Sequence, residues 1–297
     1  MLKISLVTDE LSADPETAIE LATSWGIRDF ELRGFFADRV PLLSAYQRRQ
    51  LMHILADYGA RIVALSPGLF KMPYPPPDPL RWSFTCLDMG AYESWEAAHR
   101  LVQAHVQEIL PATLDLANQL GVKTLVLFGF HRGGAEPGLP PQAVLDTLHA
   151  AAQRAASSGI TLALETEEGY WADTGERTAR LVEMVNHTAL KVNWDPGNAF
   201  CAGEVPYPTG YSEVYKTIQH VHFKDARRLA DGSSEFVIDG EIDWKGQIQA
   251  LVSDGYDGYI SIETHLRPKV ASAKASFERL QSLILAAQQQ ARSEQSN

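Results

Sequence analysis

The chain alternates short, nearly continuous apolar runs with longer stretches in which apolar residues recur every third or fourth position. Runs of the first kind, bounded by turn residues, read as buried strands, and those of the second as amphipathic helices. The pattern predicts strands over Leu2–Thr8, Ile27–Arg33, Arg61–Ser66, Val122–Phe128, Ile160–Glu165, Leu190–Asp195, Ile218–Phe223 and Tyr259–Glu263. Between them it predicts helices. Pro15 follows the capping candidates Ser12 and Asp14, and Gly26, Gly59 and Gly121 stand where three helices stop. The long helix over 94–120 carries Pro111, where a kink is expected. The last helix is predicted over 269–290.

Strand and helix thus follow each other eight times. Serial units of this kind form a parallel sheet, and eight close into a barrel. An open dinucleotide-binding sheet would want a glycine-rich loop after the first strand, and Thr8-Asp9-Glu10 offers none. The expectation is an α/β fold, a (β/α)8 TIM barrel in one domain over 1–297. One stretch departs from the pattern. Residues 67–92 hold six prolines together with Tyr74, Trp82 and Phe84, and read as a lid-like insertion after strand three. Residues 291–297 read as a frayed polar tail.

Charge narrows the partners. A formal net charge of −11 argues against nucleic acid or an anionic membrane, both of which select basic surfaces. No window approaches the ~20 apolar residues of a membrane span. The two isolated thiols, Cys86 and Cys201, make no disulfide framework and point to a reducing, cytoplasmic setting. A small-molecule partner is expected, and self-association is left open.

The chemistry gathers where strands end. Glu165, Asp195, His222 and Glu263 each finish one of strands five to eight, about one strand–helix unit apart. In a barrel these ends meet at the C-terminal mouth. Any one of them alone reads as an ordinary mouth ion pair. Four in equivalent positions on adjacent strands read as ligands of one divalent metal. Three carboxylates and an imidazole suit Mn²⁺ foremost, with Mg²⁺, Co²⁺ or Zn²⁺ also compatible.

The stretches carrying these residues resemble a known family. Asp195-Pro-Gly-Asn198, His222-Phe-Lys-Asp225, Gly240-Glu-Ile-Asp-Trp244, Gly255-Tyr-Asp-Gly258, Ile262-Glu-Thr-His265 and Glu31-Leu-Arg33 look like the xylose isomerase-like sugar isomerase/epimerase barrels. The resemblance spans nearly the whole chain and implies no particular substrate. It implies that Glu165 and Glu263 bind metal and also move protons at carbon, while Asp195 and His222 are ligands only. Arg228 matches the substrate-binding arginine of the ketose 3-epimerases. Asn198 stands where those enzymes carry a histidine, which puts the sugar contacts in doubt.

Chemical reasoning supports the same centre. Removing a proton beside a carbonyl builds an enediolate, whose charge a fixed cation stabilises. Lys224 could polarise the carbonyl, protonate a leaving hydroxyl, or simply pair with Asp225 or another mouth carboxylate. His131, Glu31, Arg33, Arg228 and Asn198 are candidate substrate contacts, although Glu31 and Arg33 could equally pair with each other. Glu167 and Glu168 could help at the mouth but read first as a solvated charge run, and His220 as core. The leading expectation is a metal-dependent isomerase or epimerase of a small sugar or polyol-derived ketone. A dehydratase of the inosose or dehydroshikimate type is the alternative. An AP endonuclease-like activity and a non-catalytic sugar-binding role fit less well.

Overall fold

The computed structural model describes residues 2–76 and 94–295. Eight parallel strands close a barrel in sequence order, each strand hydrogen-bonded to the next and the first to the last. They are β1 Lys3–Val7, β2 Asp29–Leu32, β3 Arg61–Leu69, β4 Thr124–Phe128, β5 Thr161–Glu165, β6 Leu190–Trp194, β7 Ile218–Phe223 and β8 Tyr259–Ile262. Lys3 pairs with Tyr259 and Leu6 with Ile262 where the barrel closes. The predicted fold class is the observed one.

Helices lie between the strands: α1 Pro15–Ser24, α2 Ala45–Tyr58, α3 Trp95–Ala104, α4 Leu110–Leu120, α5 Gln142–Ser157, α6 Gly175–Val185, α7 Pro196–Cys201, α8 Tyr211–Val214, α9 Trp244–Ser253 and α10 Lys269–Gln295. Local chemistry sets their ends. Asp14 accepts from the Glu16 amide at the start of α1, and Ser44 and Gln47 form a capping box on α2. Helix α2 stops at Gly59 with φ 58°, and α6 stops at Asn186 with φ 48°. Among the described residues no helix is long and apolar enough to cross a membrane.

The structure departs from the sequence reading in four places. Strand β2 ends at Leu32, and a small hairpin of Gly34–Phe35 against Asp38–Arg39 follows. Strand β3 continues through Pro67 and Gly68 to Leu69, so the irregular stretch begins later than expected. A turn of π-helix, His105–Ile109, separates α3 from α4 just ahead of Pro111. Proline supplies no amide to the preceding turn, and the wider turn absorbs that loss. Finally, α10 extends to Gln295, beyond its predicted end.

Of the expected lid, residues 77–92 lie outside those described. Its foot is well packed. Phe70 stacks on Phe130 with ring centroids 4.7 Å apart, and Tyr74 meets Phe130 edge-on at 5.1 Å. The Phe70 amide donates to Nδ1 of His105, tying this foot to the π-helical turn.

Beneath the mouth the barrel wall is held by buried indoles. Trp194 donates from Nε1 to Gln247 Oε1 at 2.7 Å. Trp244 packs on Phe223 at 4.4 Å and donates to the Lys224 carbonyl. Each such ring hides ~150–250 Å² of surface, so both polar handles need the partners they have.

Candidate metal centre

The end of β7 organises the mouth. His222 Nδ1 lies 3.1 Å from Glu263 Oε2, 3.4 Å from Glu165 Oε1 and 3.5 Å from Asp195 Oδ2. Glu165 is the last residue of β5, whereas Asp195 and Glu263 stand one step beyond β6 and β8. One ligand atom from each of the four falls within 4.8 Å of the others, and all four residues are buried.

Asp195 is held by the turn it begins. Its Oδ1 accepts from the Asn198 amide, capping the short helix α7, with Pro196 at the first helical position. Asn198 then turns its side-chain amide to the Thr166 carbonyl at 3.0 Å and to Glu167 Oε2 at 2.8 Å. Its reach to Glu165 Oε1 is 3.5 Å. Asn198 therefore braces the β5 and β6 ends.

Lys224 is the nearest cation. Its buried ammonium lies 2.8 Å from Asp195 Oδ2 and donates to Glu263 Oε2 at 2.9 Å. The neighbouring Asp225 is occupied elsewhere, by the Ala226, Gly240 and Ile242 amides and by Arg279. Arg33 approaches from the other side, donating to Glu263 Oε1, Glu10 Oε1 and both oxygens of Asp9.

Burial and charge split the two glutamates. Burial, with the charges of Glu263 and Glu167, pushes Glu165 up to about 7 against the opposite pull of His222. Burial acts likewise on Glu263, but Lys224, His222 and His265 outweigh it and hold this carboxyl well below its usual range. Burial opposes charging of His222 and Lys224, and the surrounding carboxylates overcome it, raising both well above their ordinary values.

The donor set fits a divalent cation. Three buried carboxylates around one imidazole carry a desolvation cost that a cation at their centre offsets. Asp195 Oδ2 is buried and makes no well-formed hydrogen bond, its close neighbour being the Lys224 ammonium. Carboxylate oxygens with one nitrogen suit Mg²⁺, Mn²⁺ and Zn²⁺ alike.

The remaining candidates part company. Glu31, expected at the strand exit, lies below it with no exposed surface. It does not pair with Arg33, because its oxygens are taken by Ser66, His220 and His222 from inside the barrel. His220 accordingly has partners, Glu31 at 2.8 Å and Ser261 at 3.0 Å. His131 is half-buried at the rim, where its Nδ1 accepts from the Gly133 amide and its ring meets Tyr170 edge-on. Arg228 is exposed. Its guanidinium is spent on the Gly232 and Phe200 carbonyls and on Ser234, and it covers the Phe200 ring. The structure does not bring it to the four ligands.

Several mouth residues escaped the sequence reading. Glu10 is buried and accepts from the Thr264 amide and hydroxyl and the His265 amide. Glu167 is no solvated charge, since it binds Asn198 and pairs with Lys71 at 2.8 Å. Arg39, on the hairpin after β2, lays its guanidinium against Gly68 and forms no ion pair among the described residues. Asp9 and Glu10 at the exit of strand one were the available signal, being carboxylates at a C-terminal strand end.

A closed eight-stranded parallel barrel with this quartet at its mouth defines a TIM-barrel protein with a candidate metal centre. The chain belongs to the xylose isomerase-like TIM barrel family, whose sequence profile matches residues 19–283. It is 24% identical to the inosose dehydratase of Lacticaseibacillus casei over 225 residues, covering 64% of this chain and 70% of that protein. It is 29% identical to the inosose dehydratase of Salmonella typhimurium (strain LT2) over 144 residues, covering 43% of this chain and 48% of that one, about half its length. Solved barrels of the same shape include an L-ribulose 3-epimerase (TM-score 0.69, 18% identity, 98% of this chain and 97% of that one). A probable 3-DHS dehydratase from Bacillus anthracis has a TM-score of 0.66 at 19% identity, covering 94% and 98%. The IOLI protein with a binding zinc atom has a TM-score of 0.69 at 17% identity, covering 95% and 98%.

Proposed function

We propose that the protein is a divalent-metal-dependent dehydratase of a small cyclic polyhydroxy ketone of the inosose type. Glu165, Asp195, His222 and Glu263 would hold the cation. When bound, it supplies the positive charge that stabilises an enediolate. Elimination then needs one group that takes a proton from carbon and returns it to the departing hydroxyl. Glu165, a carboxylate that would stand beside both the cation and the substrate carbon, is placed for both halves of that transfer. The proton leaves the carbon beside the carbonyl for Glu165, the carbon–oxygen bond of the neighbouring hydroxyl breaks, and the same proton completes a water molecule. Lys224, held charged, can donate a hydrogen bond to the departing oxygen. Among the described residues, Arg39 is a cation near the mouth that forms no ion pair and could meet a further substrate oxygen.

The buried quartet at the mouth, in a chain similar to inosose dehydratases, is the observation that carries this reading. An isomerase or epimerase wants a base on one face and an acid on the other, and Glu263 is held ionised by Lys224 and His222. Such an enzyme remains the second reading, because Glu165 and Glu263 reach the same ring nitrogen of His222 from different strands. The similarity to inosose dehydratases supports the first. The deciding test incubates the Mn²⁺-loaded protein with 2-keto-myo-inositol in D₂O and follows product mass. Loss of one water supports the dehydratase. A product of unchanged composition that gains deuterium would establish the epimerase instead.

A further inference from the structure

Glu31 and His220 lie one layer below the quartet, and neither belongs to it. They sit on β2 and β7, which are not neighbours, so their 2.8 Å contact crosses the inside of the barrel. A chain of buried polar groups runs through this contact. Ser66 on β3 donates to Glu31 Oε1. His220 also contacts Ser261 at 3.0 Å, and Ser261 meets Ser5 at 2.6 Å. Above, His222 Nε2 lies 3.2 Å from both Glu31 oxygens. Among the described residues Glu31 pairs with no lysine or arginine, only with these two imidazoles. A buried carboxylate with such partners carries a large desolvation cost, and plain filling of the barrel would be served better by an apolar side chain.

The two nitrogens of His222 face different surroundings. Nδ1 points among Glu165, Asp195 and Glu263, while Nε2 faces Glu31. The Asn193 amide lies 3.2 Å from Nε2 and 3.4 Å from Nδ1, too even to choose between them. A neutral imidazole has one N–H and one lone pair, and only the lone pair can bind a cation. Three carboxylates around Nδ1 draw the proton to that nitrogen, which is the wrong form for ligation. A carboxylate beneath Nε2 is the counterweight.

We infer that Glu31 is a positioning residue. It holds the His222 proton on Nε2 and presents Nδ1 to the cation, and it is itself fixed by Ser66 and His220. The inference rests on the reading of the quartet as a metal centre, and it concerns this chain's own hydrogen-bond chain rather than the reaction.

The test measures Mn²⁺ affinity of the metal-stripped full chain by competition with a fluorescent chelator, beside its thermal unfolding midpoint. Glu31→Gln is expected to weaken Mn²⁺ binding by roughly 10- to 100-fold, the range for lost supports of metal-bound histidines. Pulsed EPR of the Mn²⁺ form should show reduced coupling to a directly bound imidazole nitrogen. A purely structural role would move the midpoint and leave both readouts alone. A folded Glu31→Gln protein binding Mn²⁺ within twofold of wild type overturns the inference. Should Glu31→Gln fail to fold, Ser66→Ala and His220→Gln decide, since each loosens Glu31 without removing it. Weakening of threefold or more in either supports the inference, and unchanged affinity in both overturns it. If wild type itself binds no Mn²⁺, the metal-centre reading falls and takes this inference with it, whereas equal binding by wild type and variants sinks the inference alone.

Discussion

The Lys224 ammonium lies 2.9 Å from Glu263 Oε2, so a protein side chain already places one positive charge among the carboxylates that would hold a metal. Charges at such separations interact by about 4 kcal/mol at an effective dielectric near 20. Even a third of that corresponds to a tenfold change in binding. Lys224→Met is therefore expected to tighten Mn²⁺ binding by about tenfold while lowering the unfolding midpoint of the metal-free form. Weaker Mn²⁺ binding in that variant would show that Lys224 helps to build the centre rather than competing for it.

Replacing Glu165 by Gln removes the group assigned to proton transfer but keeps an oxygen donor. Turnover should fall on the order of 10²- to 10⁴-fold, with Mn²⁺ still bound. Glu263→Gln should act chiefly on affinity, because that carboxyl is held ionised and serves as a ligand. Steady-state rates at saturating Mn²⁺ separate the two. Equal rate losses in both variants would favour the two-glutamate epimerase.

Asp195→Ala, or dialysis against EDTA, should abolish activity, and Mn²⁺ should restore it to the dialysed wild type only. Elemental analysis of protein prepared without chelator checks the same point. Equal metal content in wild type and Asp195→Ala would dismiss the quartet.

Acid should loosen the foot of the segment after β3. Burial lowers His105 to about 4, and its Nδ1 accepts the Phe70 amide proton, so the native ring stays neutral while an unfolded one titrates near 6.5. The unfolded chain thus binds the extra proton between these values, and stability falls as pH drops from about 6.5 to 4, by up to roughly 3 kcal/mol. Above that window His105 contributes no pH dependence. Urea unfolding of wild type and His105→Asn at stepped pH isolates the effect, and parallel curves for the two proteins would refute it.

Gly240 has no room for a side chain. A Cβ there would lie 2.2 Å from the Ala226 carbonyl oxygen and 2.6 Å from Asp225 Oδ1. Gly240→Ala must displace backbone, and a loss of about 1–3 kcal/mol is expected by chemical denaturation. Because the same strain reaches the residue after Lys224, Mn²⁺ affinity should drop with it.

The ends of β5 to β8 were legible because each apolar run stops on a side chain that cannot enter the core unpaired. What lay inside the barrel was not. Glu31 reads like an exit residue until Leu32 is seen to extend the strand above it. His220 carried a readable clue, since residues two apart on a strand face the same way, and His222 already faced inward. Its partner could not be read, because it comes from β2 across the barrel. The hairpin that carries Arg39 and the π-helical turn before Pro111 depend on tertiary packing that periodicity does not record. Arg228 shows the converse, a side chain that its own hairpin engages in this structure. A match to a family position does not fix a side chain whose own hairpin offers it acceptors.

The cap on α7 limits what Asp195 can give. With Oδ1 committed to the Asn198 amide, a second bond from this residue to a cation would cost the cap, worth ~1 kcal/mol. Asp195 is thereby made a one-armed ligand. For a cation that prefers about six oxygen or nitrogen neighbours, single bonds from the four side chains would leave two open, the number a hydroxyketone could fill with its carbonyl and the hydroxyl beside it.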